Sequence, residues 1–281
     1  MHALYNLAAW MAQPLLRRKL AARARAEPLY GQWVAERFGR AYAAPAVSRE
    51  DERPLWIHAV SLGETRAAAI LAQALRARRP GLRLLLTHGT ATGRAEGAKL
   101  LQAGDAQAWQ PWDTPVAVAR FLAHFRPRAG VLMETEIWPN LIAQSAAQGV
   151  PLALANARLS EKSLRAARRA AWLMRPAYAR LAAAWAQTDA DAARLRQMGA
   201  PVAGVFGNLK FDARPDPALL ALGQRWREQA RQAGRAIVML ASSRDGEEAA
   251  FMQAIVQARA ADAAGLAGIQ WLIVPRHPQR F

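Results

Sequence analysis

One carboxylate, Glu64, stands in a segment whose composition suits acid–base chemistry. The segment SLGET, residues 61–65, joins an apolar run to an Ala-rich stretch that is typical of a helix. Its glycine permits a tight turn, and the first N–H groups of a helix are free to bind anions. Glu64 is either a general base at the mouth of a sheet or a carboxylate that complements the helix dipole. The segment alone favours the dipole interpretation.

Two further carboxylates and one lysine follow other apolar runs. Glu134 and Glu136 lie in METEIWPN, residues 133–140. Carboxylates two positions apart need not converge, so one can reach a cleft while the other binds a backbone group or an arginine. Lys210 lies in GNLKFD, residues 207–212, in a chain that uses arginine for nearly all its positive charge. It is either a solvated surface charge or a functional cation at a strand end.

The last third of the chain offers candidate phosphate ligands. Ser242 and Ser243 lie between a predicted strand and a predicted helix, where their hydroxyls either cap the helix or bind a phosphate. Pro275 and Arg276 follow the next predicted strand, and Arg276 suits bidentate phosphate binding. We interpret His88 as a hydrogen-bonded loop residue. The five histidines are scattered and none is spaced as a metal-ligand pair, so we expect no metal and no cofactor.

Composition narrows the class of protein. The chain has 281 residues, no cysteine and a formal charge of +17, from 38 Lys+Arg against 21 Asp+Glu. Disulfide scaffolds, thiolate nucleophiles and iron–sulfur clusters are therefore excluded. The charge indicates an anionic partner: nucleic acid, a membrane surface or a phosphorylated substrate. No helix-turn-helix, zinc-finger or RNP-type signature is present, so we do not expect a nucleic-acid partner.

Short apolar runs alternate with helical stretches after about residue 54. This alternation predicts βαβ units and a doubly wound parallel sheet, an α/β fold. Such sheets bind ligands beyond the carboxyl ends of their strands, which is where the candidate residues stand. The predicted strands are residues 55–60, 82–87, 130–133, 151–155, 183–187 and 202–206. The predicted helices are residues 65–79, 92–103, 115–125, 139–148, 160–178 and 190–198.

A linker-like DARPDP stretch, residues 212–217, precedes a second α/β pattern. It comprises predicted helices at 218–232 and 246–261 and predicted strands at 236–241 and 271–274. Two strands are few for an independent parallel sheet, so we expect a longer domain of which this is the start.

The N-terminal segment is apolar from residue 3 to residue 16 and then basic, with Arg17, Arg18 and Lys19. A spanning helix needs about 20 apolar residues, and a signal peptide carries its charges before the apolar run. An interfacial anchor on an anionic membrane surface fits better than either. The alternative is an ordinary amphipathic helix packed on the domain.

Taken together, several segments resemble the 3-deoxy-D-manno-octulosonic acid (Kdo) transferases of lipopolysaccharide synthesis. The matching stretches run in the family's order: WIHAVSLGET, THGTATG, LMETEIWPNLI, PLALANARLS, GNLKFD, ASSRDGEE and IVPRHPQRF. The resemblance implies a GT-B type glycosyltransferase of two domains. It divides the chain into a membrane-associating segment (residues 1–50), an acceptor-binding domain (51–211) and a partial donor-binding domain (212–281).

The resemblance also implies the reaction and its residues. It implies inverting, metal-free transfer of Kdo from CMP-Kdo to a lipid A precursor at the cytoplasmic face of the inner membrane. Glu64 would be the general base, and Glu134 and Lys210 would stabilise the transition state. Pro275 and Arg276 would bind the CMP of the donor, with Ser242 and Ser243 as possible further contacts.

Family members continue past residue 281, and much of their donor site lies in that continuation. The alternative function is therefore an inactive acceptor-domain fragment that binds membrane or the lipid A precursor.

Overall fold

Short strands and helices alternate along the chain, as the periodicity of the sequence predicts. A computed structural model describes residues 2–276 and Arg280, and it divides the chain into two compact units, Met1–Ala213 and Arg214–Phe281. The strands of the first unit are β1 (Leu55–His58), β2 (Leu84–His88), β3 (Ala106–Trp109), β4 (Ala129–Met133), β5 (Leu152–Ala157), β6 (Ala183–Ala186) and β7 (Val202–Val205).

The helices of the first unit include two that precede the sheet. They are α1 (His2–Met11), α2 (Gln13–Ala26), α3 (Leu62–Arg78), α4 (Ala91–Ala98), α5 (Pro115–Phe125), α6 (Pro139–Ala147), α7 (Glu161–Arg169), α8 (Ala171–Ala179) and α9 (Asp189–Gln197). Short 3₁₀ helices lie at Pro28–Gly31, Val34–Phe38 and Leu209–Asp212.

The seven strands form one parallel sheet in the order β3-β2-β1-β4-β5-β6-β7. The chain runs outward from β1 to β3 and then returns to β4 on the other side of β1. This reversal makes β1 and β4 the topological switch point, where a doubly wound sheet opens a crevice at its carboxyl edge. The predicted α/β class and parallel sheet are confirmed.

Alternate residues of the central strands are buried on opposite faces of the sheet. Trp56, Leu85 and Leu132 pack with the aromatic side chains of α5 on one face. Ile57 and Leu86 pack on the other face against Ala67, Ala68 and Ala72 of α3, whose small side chains fit a helix close to the sheet. Buried strands of a parallel sheet read as short apolar runs for this reason, since both faces are covered.

Some predicted boundaries were wrong. β3 is absent from the predicted strands, and α4 ends at Ala98 rather than at residue 103. The helix predicted over 160–178 is two helices, α7 and α8, separated at Ala170, whose backbone (φ −110°, ψ 34°) is not helical.

The second unit contains a parallel pair of strands and three helices. They are α10 (Pro217–Gln232), β8 (Ala236–Ser243), α11 (Glu247–Ala261), α12 (Ala263–Leu266) and β9 (Ile269–Pro275). Its described apolar side chains are mostly exposed, among them Val238, Met239 and Val274, while Ala230 and Ile255 are buried.

Within the described residues, no helix has the length and apolar character needed to cross a bilayer.

Candidate active site

Glu64 lies at the switch point, in the first turn of α3 directly after β1. Ser61 caps α3 by accepting a hydrogen bond from the Glu64 N–H (3.3 Å), which is why the helix begins here. The Glu64 carboxylate in turn accepts from the Val60 N–H (2.8 Å) and from the Ser61 hydroxyl (2.9 Å). The side chain is therefore held over the end of β1.

Burial raises the pKa of Glu64 above its ordinary value. The hydrogen bonds from Val60 and Ser61 oppose this shift, and the negative charges of Glu136 and Glu134 add to it. Desolvation and like charges both disfavour the ionised carboxylate. A carboxylate with a raised pKa at a sheet mouth is suited to accept a proton.

Glu134 stands on the other side of the switch point, directly after β4. Its backbone adopts φ +56°, a left-handed conformation that is uncommon for a residue with a side chain. Its carboxylate lies 3.8 Å from Lys210 Nζ and 3.9 Å from Arg158 Nη1. Glu134 therefore gathers two cations at the carboxyl edge of the sheet.

Two asparagines position the Lys210 segment. Asn156, at the end of β5, accepts a hydrogen bond from the Leu209 N–H through Oδ1 (3.1 Å) and has a left-handed backbone (φ +52°). Asn208 accepts from the Lys210 N–H (3.0 Å) and caps the short helix Leu209–Asp212. Lys210 is far from Glu64 along the chain, and these side chains connect its segment to the sheet.

Glu136 faces a different set of partners from Glu134. Its Oε2 accepts a hydrogen bond from Trp138 Nε1 (2.8 Å) and lies 3.7 Å from His58 Nε2. His58 is fully buried, and its Nδ1 lies 2.8 Å from Thr87 Oγ1. The two carboxylates of METEIWPN therefore point to different partners. Glu134 lies near the cations Lys210 and Arg158, and Glu136 lies against His58 and Trp138.

The interpretation of His88 as a loop residue was wrong. His88 is the last residue of β2, and its Nδ1 donates to the Ala59 carbonyl (2.9 Å). Burial lowers the pKa of His88 to about 3, so the ring is neutral at physiological pH. The histidine is a structural residue between β1 and β2.

The candidate donor residues lie in the second unit, at the carboxyl ends of β8 and β9. Ser243 and Pro275 are register partners, and the Ser243 carbonyl accepts from the Arg276 N–H (3.0 Å). The Ser243 hydroxyl donates to Glu248 Oε1 (2.6 Å), and Ser242 has a left-handed backbone (φ +60°). Neither serine caps α11, which begins after Gly246 without a side-chain cap, so the capping alternative was wrong.

The structure thus brings Glu64, Glu134 and Lys210 together in the first unit, and Ser243, Pro275 and Arg276 together in the second. Arg158, Asn156 and His58 were not among the predicted site residues. The available signals were their positions after strands or within them and the family-like stretches WIHAVSLGET and PLALANARLS in which they lie. Among the described residues, no three His, Asp or Glu side chains are grouped as metal ligands.

Comparisons with known proteins show the family of this chain. Residues 32–213 match a family model described as 3-Deoxy-D-manno-octulosonic-acid transferase (kdotransferase). The chain is 51% identical to the 3-deoxy-D-manno-octulosonic acid transferase of Bordetella pertussis, over 92% of this chain and 60% of that protein. It is 30% identical to the Haemophilus influenzae protein of the same name, over 96% of this chain and 62% of that one.

Two solved structures are similar at a lower level. The UDP-GlcNAc 2-epimerase from Neisseria meningitidis bound to UDP-GlcNAc matches with a TM-score of 0.48 and 14% identity, over 78% of this chain and 64% of that one. MurG from Acinetobacter baumannii matches with a TM-score of 0.43 and 12% identity, over 80% and 68%.

The chain spans about 60% of the length of the two bacterial relatives. The family model covers most of the first unit, including Glu64, Glu134 and Lys210. The chain therefore belongs to the 3-deoxy-D-manno-octulosonic acid transferase family.

Proposed function

We propose that this chain carries the acceptor half, and the beginning of the donor half, of a GT-B type glycosyltransferase. The transferase would move Kdo from CMP-Kdo to a lipid A precursor with inversion at the anomeric carbon. The observation that carries the proposal is Glu64 at the switch point between β1 and β4, with a raised pKa and two cations gathered by Glu134 nearby.

In the proposed reaction Glu64 takes the proton of an acceptor hydroxyl as its oxygen attacks the anomeric carbon of Kdo. The bond from that carbon to the phosphate of CMP breaks, and CMP leaves. A base opposite a leaving group is the inverting arrangement, with an acceptor hydroxyl in place of water. No metal is invoked in this step.

Lys210 and Arg158 would stabilise the negative charge that develops on the leaving phosphate. Glu134 would act by holding both cations at the edge of the sheet. Pro275, Arg276 and Ser243 would contact the CMP group from the second unit, where the exposed Arg276 follows the carboxyl end of β9.

The enzyme would work at the cytoplasmic face of the inner membrane, held by α1 on anionic lipid. In support, Leu4, Leu7 and Trp10 of α1 are exposed, while Tyr5 of the same helix hydrogen-bonds Asp113 of the sheet domain (2.6 Å). Exposed Arg17 and Arg18 follow in α2. An apolar helix with basic residues beside it is typical of an interfacial anchor.

The test is transfer of Kdo from CMP-Kdo to a lipid A precursor, with Glu64→Gln compared against Glu161→Gln. Both residues are first-turn carboxylates, of α3 and α7, so both complement a helix dipole. A general base contributes about 10²- to 10⁴-fold, so Glu64→Gln should lose at least 100-fold and Glu161→Gln almost nothing. Full activity of Glu64→Gln would reject the base. If the protein binds the acceptor but neither transfers Kdo nor binds CMP-Kdo, the alternative of an inactive acceptor-domain fragment is favoured.

A further inference from the structure

A cavity of about 370 Å³ lies between the N-terminal helices and the carboxyl edge of the sheet. Its walls are largely apolar on both sides. The helices contribute Ala8, Ala9, Ala12 and Leu16, and the sheet domain contributes Pro111, Trp112 and Trp138. The remaining lining residues are Tyr5, Arg37, Gln110 and Asp113, so the cavity combines an apolar chamber with a small polar end.

Arg37 is the unusual member of that polar end. It is 4% exposed, its guanidinium stacks on the Trp109 ring at 4.0 Å, and its Nη2 donates to the Gly89 carbonyl (3.1 Å). Its Nε is buried without a hydrogen-bond partner, and no carboxylate of the described residues lies within 4.0 Å of the guanidinium. Burial lowers the pKa of Arg37 to about 10.

Arg94 offers a comparison within the same region. It is 5% exposed and stacks on the same Trp109 ring, but it forms an ion pair with Glu36 at 2.6 Å. A buried charge without a counter-ion is strongly unfavourable, and buried charges are therefore normally paired. Arg94 obeys this rule through its direct ion pair. The charge of Glu36 also acts on Arg37, but without a direct ion pair, and Arg37 lines a cavity in which a ligand can supply the anion.

Asp113, the carboxylate of the cavity, does not serve as that anion. It accepts hydrogen bonds from the Tyr5 hydroxyl (2.6 Å) and from the backbone N–H groups of Asn140 (3.1 Å) and Leu141 (2.8 Å) at the start of α6. Its charge is thus compensated by a helix N-terminus. Burial also raises the pKa of Asp113 above its ordinary value.

Trp138 connects the cavity to the carboxylate cluster. Its ring lines the cavity, and its Nε1 donates to Glu136 Oε2 (2.8 Å). Glu136 in turn influences the pKa of Glu64. Trp138 and Glu136 therefore connect the cavity to the carboxylate to which we assign proton transfer.

We propose that this cavity binds a phosphate-bearing, acylated end of the sugar acceptor, with Arg37 as the phosphate-binding residue. The inference rests on the proposed function for the identity of the acceptor. A planar guanidinium suits a phosphate, and the apolar walls suit the first carbons of an acyl chain. Arg37 takes no part in proton transfer, so it is a binding residue.

The test is calorimetric titration of the chain with hexyl phosphate, which carries both features of the proposed ligand. Hexanol and inorganic phosphate each carry one feature, and both should bind at least tenfold more weakly. Arg37→Gln should weaken hexyl phosphate binding at least tenfold. Arg40→Gln, an exposed arginine three positions along, should leave it unchanged. Equal binding of hexyl phosphate by Arg37→Gln and the unaltered chain would overturn the proposal, as would hexanoate binding as tightly as hexyl phosphate.

A second variant covers the case in which Arg37→Gln fails to fold. Ala9→Leu fills the cavity from the α1 side and leaves Arg37 unsubstituted, and it should also weaken hexyl phosphate binding at least tenfold. Unchanged binding by Ala9→Leu would place the ligand elsewhere and overturn the proposal. These titrations need neither donor nor turnover. If hexyl phosphate binding depends on Arg37 but the protein transfers no Kdo, the proposed function is rejected and the cavity proposal stands.

Discussion

Opposing effects set the pKa of the Glu64 carboxylate. Its hydrogen bonds favour ionisation, but burial and the neighbouring carboxylates oppose it and leave the pKa raised. The folded state therefore holds its proton more tightly than the unfolded chain does. Ionisation of Glu64 destabilises the fold at pH values above the folded pKa. Below the ordinary glutamate range, where both states are protonated, this effect disappears.

We expect Glu64→Gln to stabilise the first unit slightly at neutral pH, because the folded state disfavours the ionised carboxylate. The amide has the shape of the carboxylate and keeps the Val60 N–H as a donor, but it carries no charge. The gain should grow as pH rises from the ordinary glutamate range through the folded pKa and then level off. Urea unfolding followed over a pH series measures this difference.

Glu161→Gln is the matched control, because Glu161 is an exposed first-turn carboxylate beside Arg194 (3.5 Å). Its removal should destabilise the protein slightly, by about 0.3–1 kcal/mol. A stabilising substitution at Glu64 would mark a residue kept for function at a cost in stability. If both substitutions destabilise the protein equally, Glu64 acts only as a carboxylate that complements the helix dipole.

Residue-level patterns in the sequence predicted the strand-end carboxylates but not their partners. Glu64, Glu134 and Lys210 were predicted because they follow apolar runs and lie in family-like segments. Asn156 also follows an apolar run and lies in such a segment, but its role could not be predicted from this, and neither could that of Arg37. The role of Asn156 depends on a left-handed backbone and a hydrogen bond to a residue 53 positions away. Arg37 lacks a direct ion pair because of where the fold places the carboxylates, which local sequence does not show.

At the level of elements, a hydrogen bond from Tyr5 connects α1 to the sheet domain. The Tyr5 hydroxyl donates to Asp113, which also accepts the first free N–H groups of α6. Hydrogen bonds to charged groups contribute about 1.5–3 kcal/mol. Tyr5→Phe should therefore lower the stability of α1 docking by about 1.5 kcal/mol, while the remaining partners of Asp113 keep α6 in place.

Hydrogen exchange of the α1 amides measures this effect, and we expect roughly tenfold faster exchange in Tyr5→Phe. Tyr42→Phe is the control, because the buried Tyr42 hydroxyl has no hydrogen-bond partner among the described residues. Its removal should leave α1 unchanged. Equal exchange rates in the two variants would mean that α1 is held by its apolar contacts alone.

Element prediction succeeded where packing is regular and failed where it is not. The buried central strands read as apolar runs, so β1, β2 and β4 were found close to their true bounds. β3 was missed because Ala106-Gln107-Ala108-Trp109 is a short edge strand without a run of large aliphatic residues. The break at Ala170 has no local signal, because alanine favours helices and the separation of α7 from α8 follows from tertiary packing.

At the level of the whole molecule, the charge of +17 and the exposed face of α1 would both act on the proposed membrane partner. Charge attracts the chain to any polyanion, but attraction to exposed charge weakens with salt. Insertion of apolar side chains into a lipid interface does not. Binding to anionic vesicles should therefore keep a salt-resistant part that duplex DNA binding lacks.

We expect the Leu4→Ser, Leu7→Ser double variant to lose that salt-resistant part. Vesicles of phosphatidylcholine with about 30% phosphatidylglycerol, a composition that supplies anionic headgroups, should bind it at least tenfold more weakly in flotation assays at high salt. The matched control is Leu219→Ser, Leu220→Ser in α10. Leu4 and Leu7 are 68% and 52% exposed, and Leu219 and Leu220 are 65% and 51% exposed. Each pair removes the same apolar surface, which is worth roughly 1.5–3 kcal/mol per leucine when fully buried.

A loss confined to the α1 variant identifies α1 as the membrane contact. Equal losses in both would show that exposed leucines act non-specifically, and DNA binding that outlasts vesicle binding at high salt would make the anionic partner a nucleic acid.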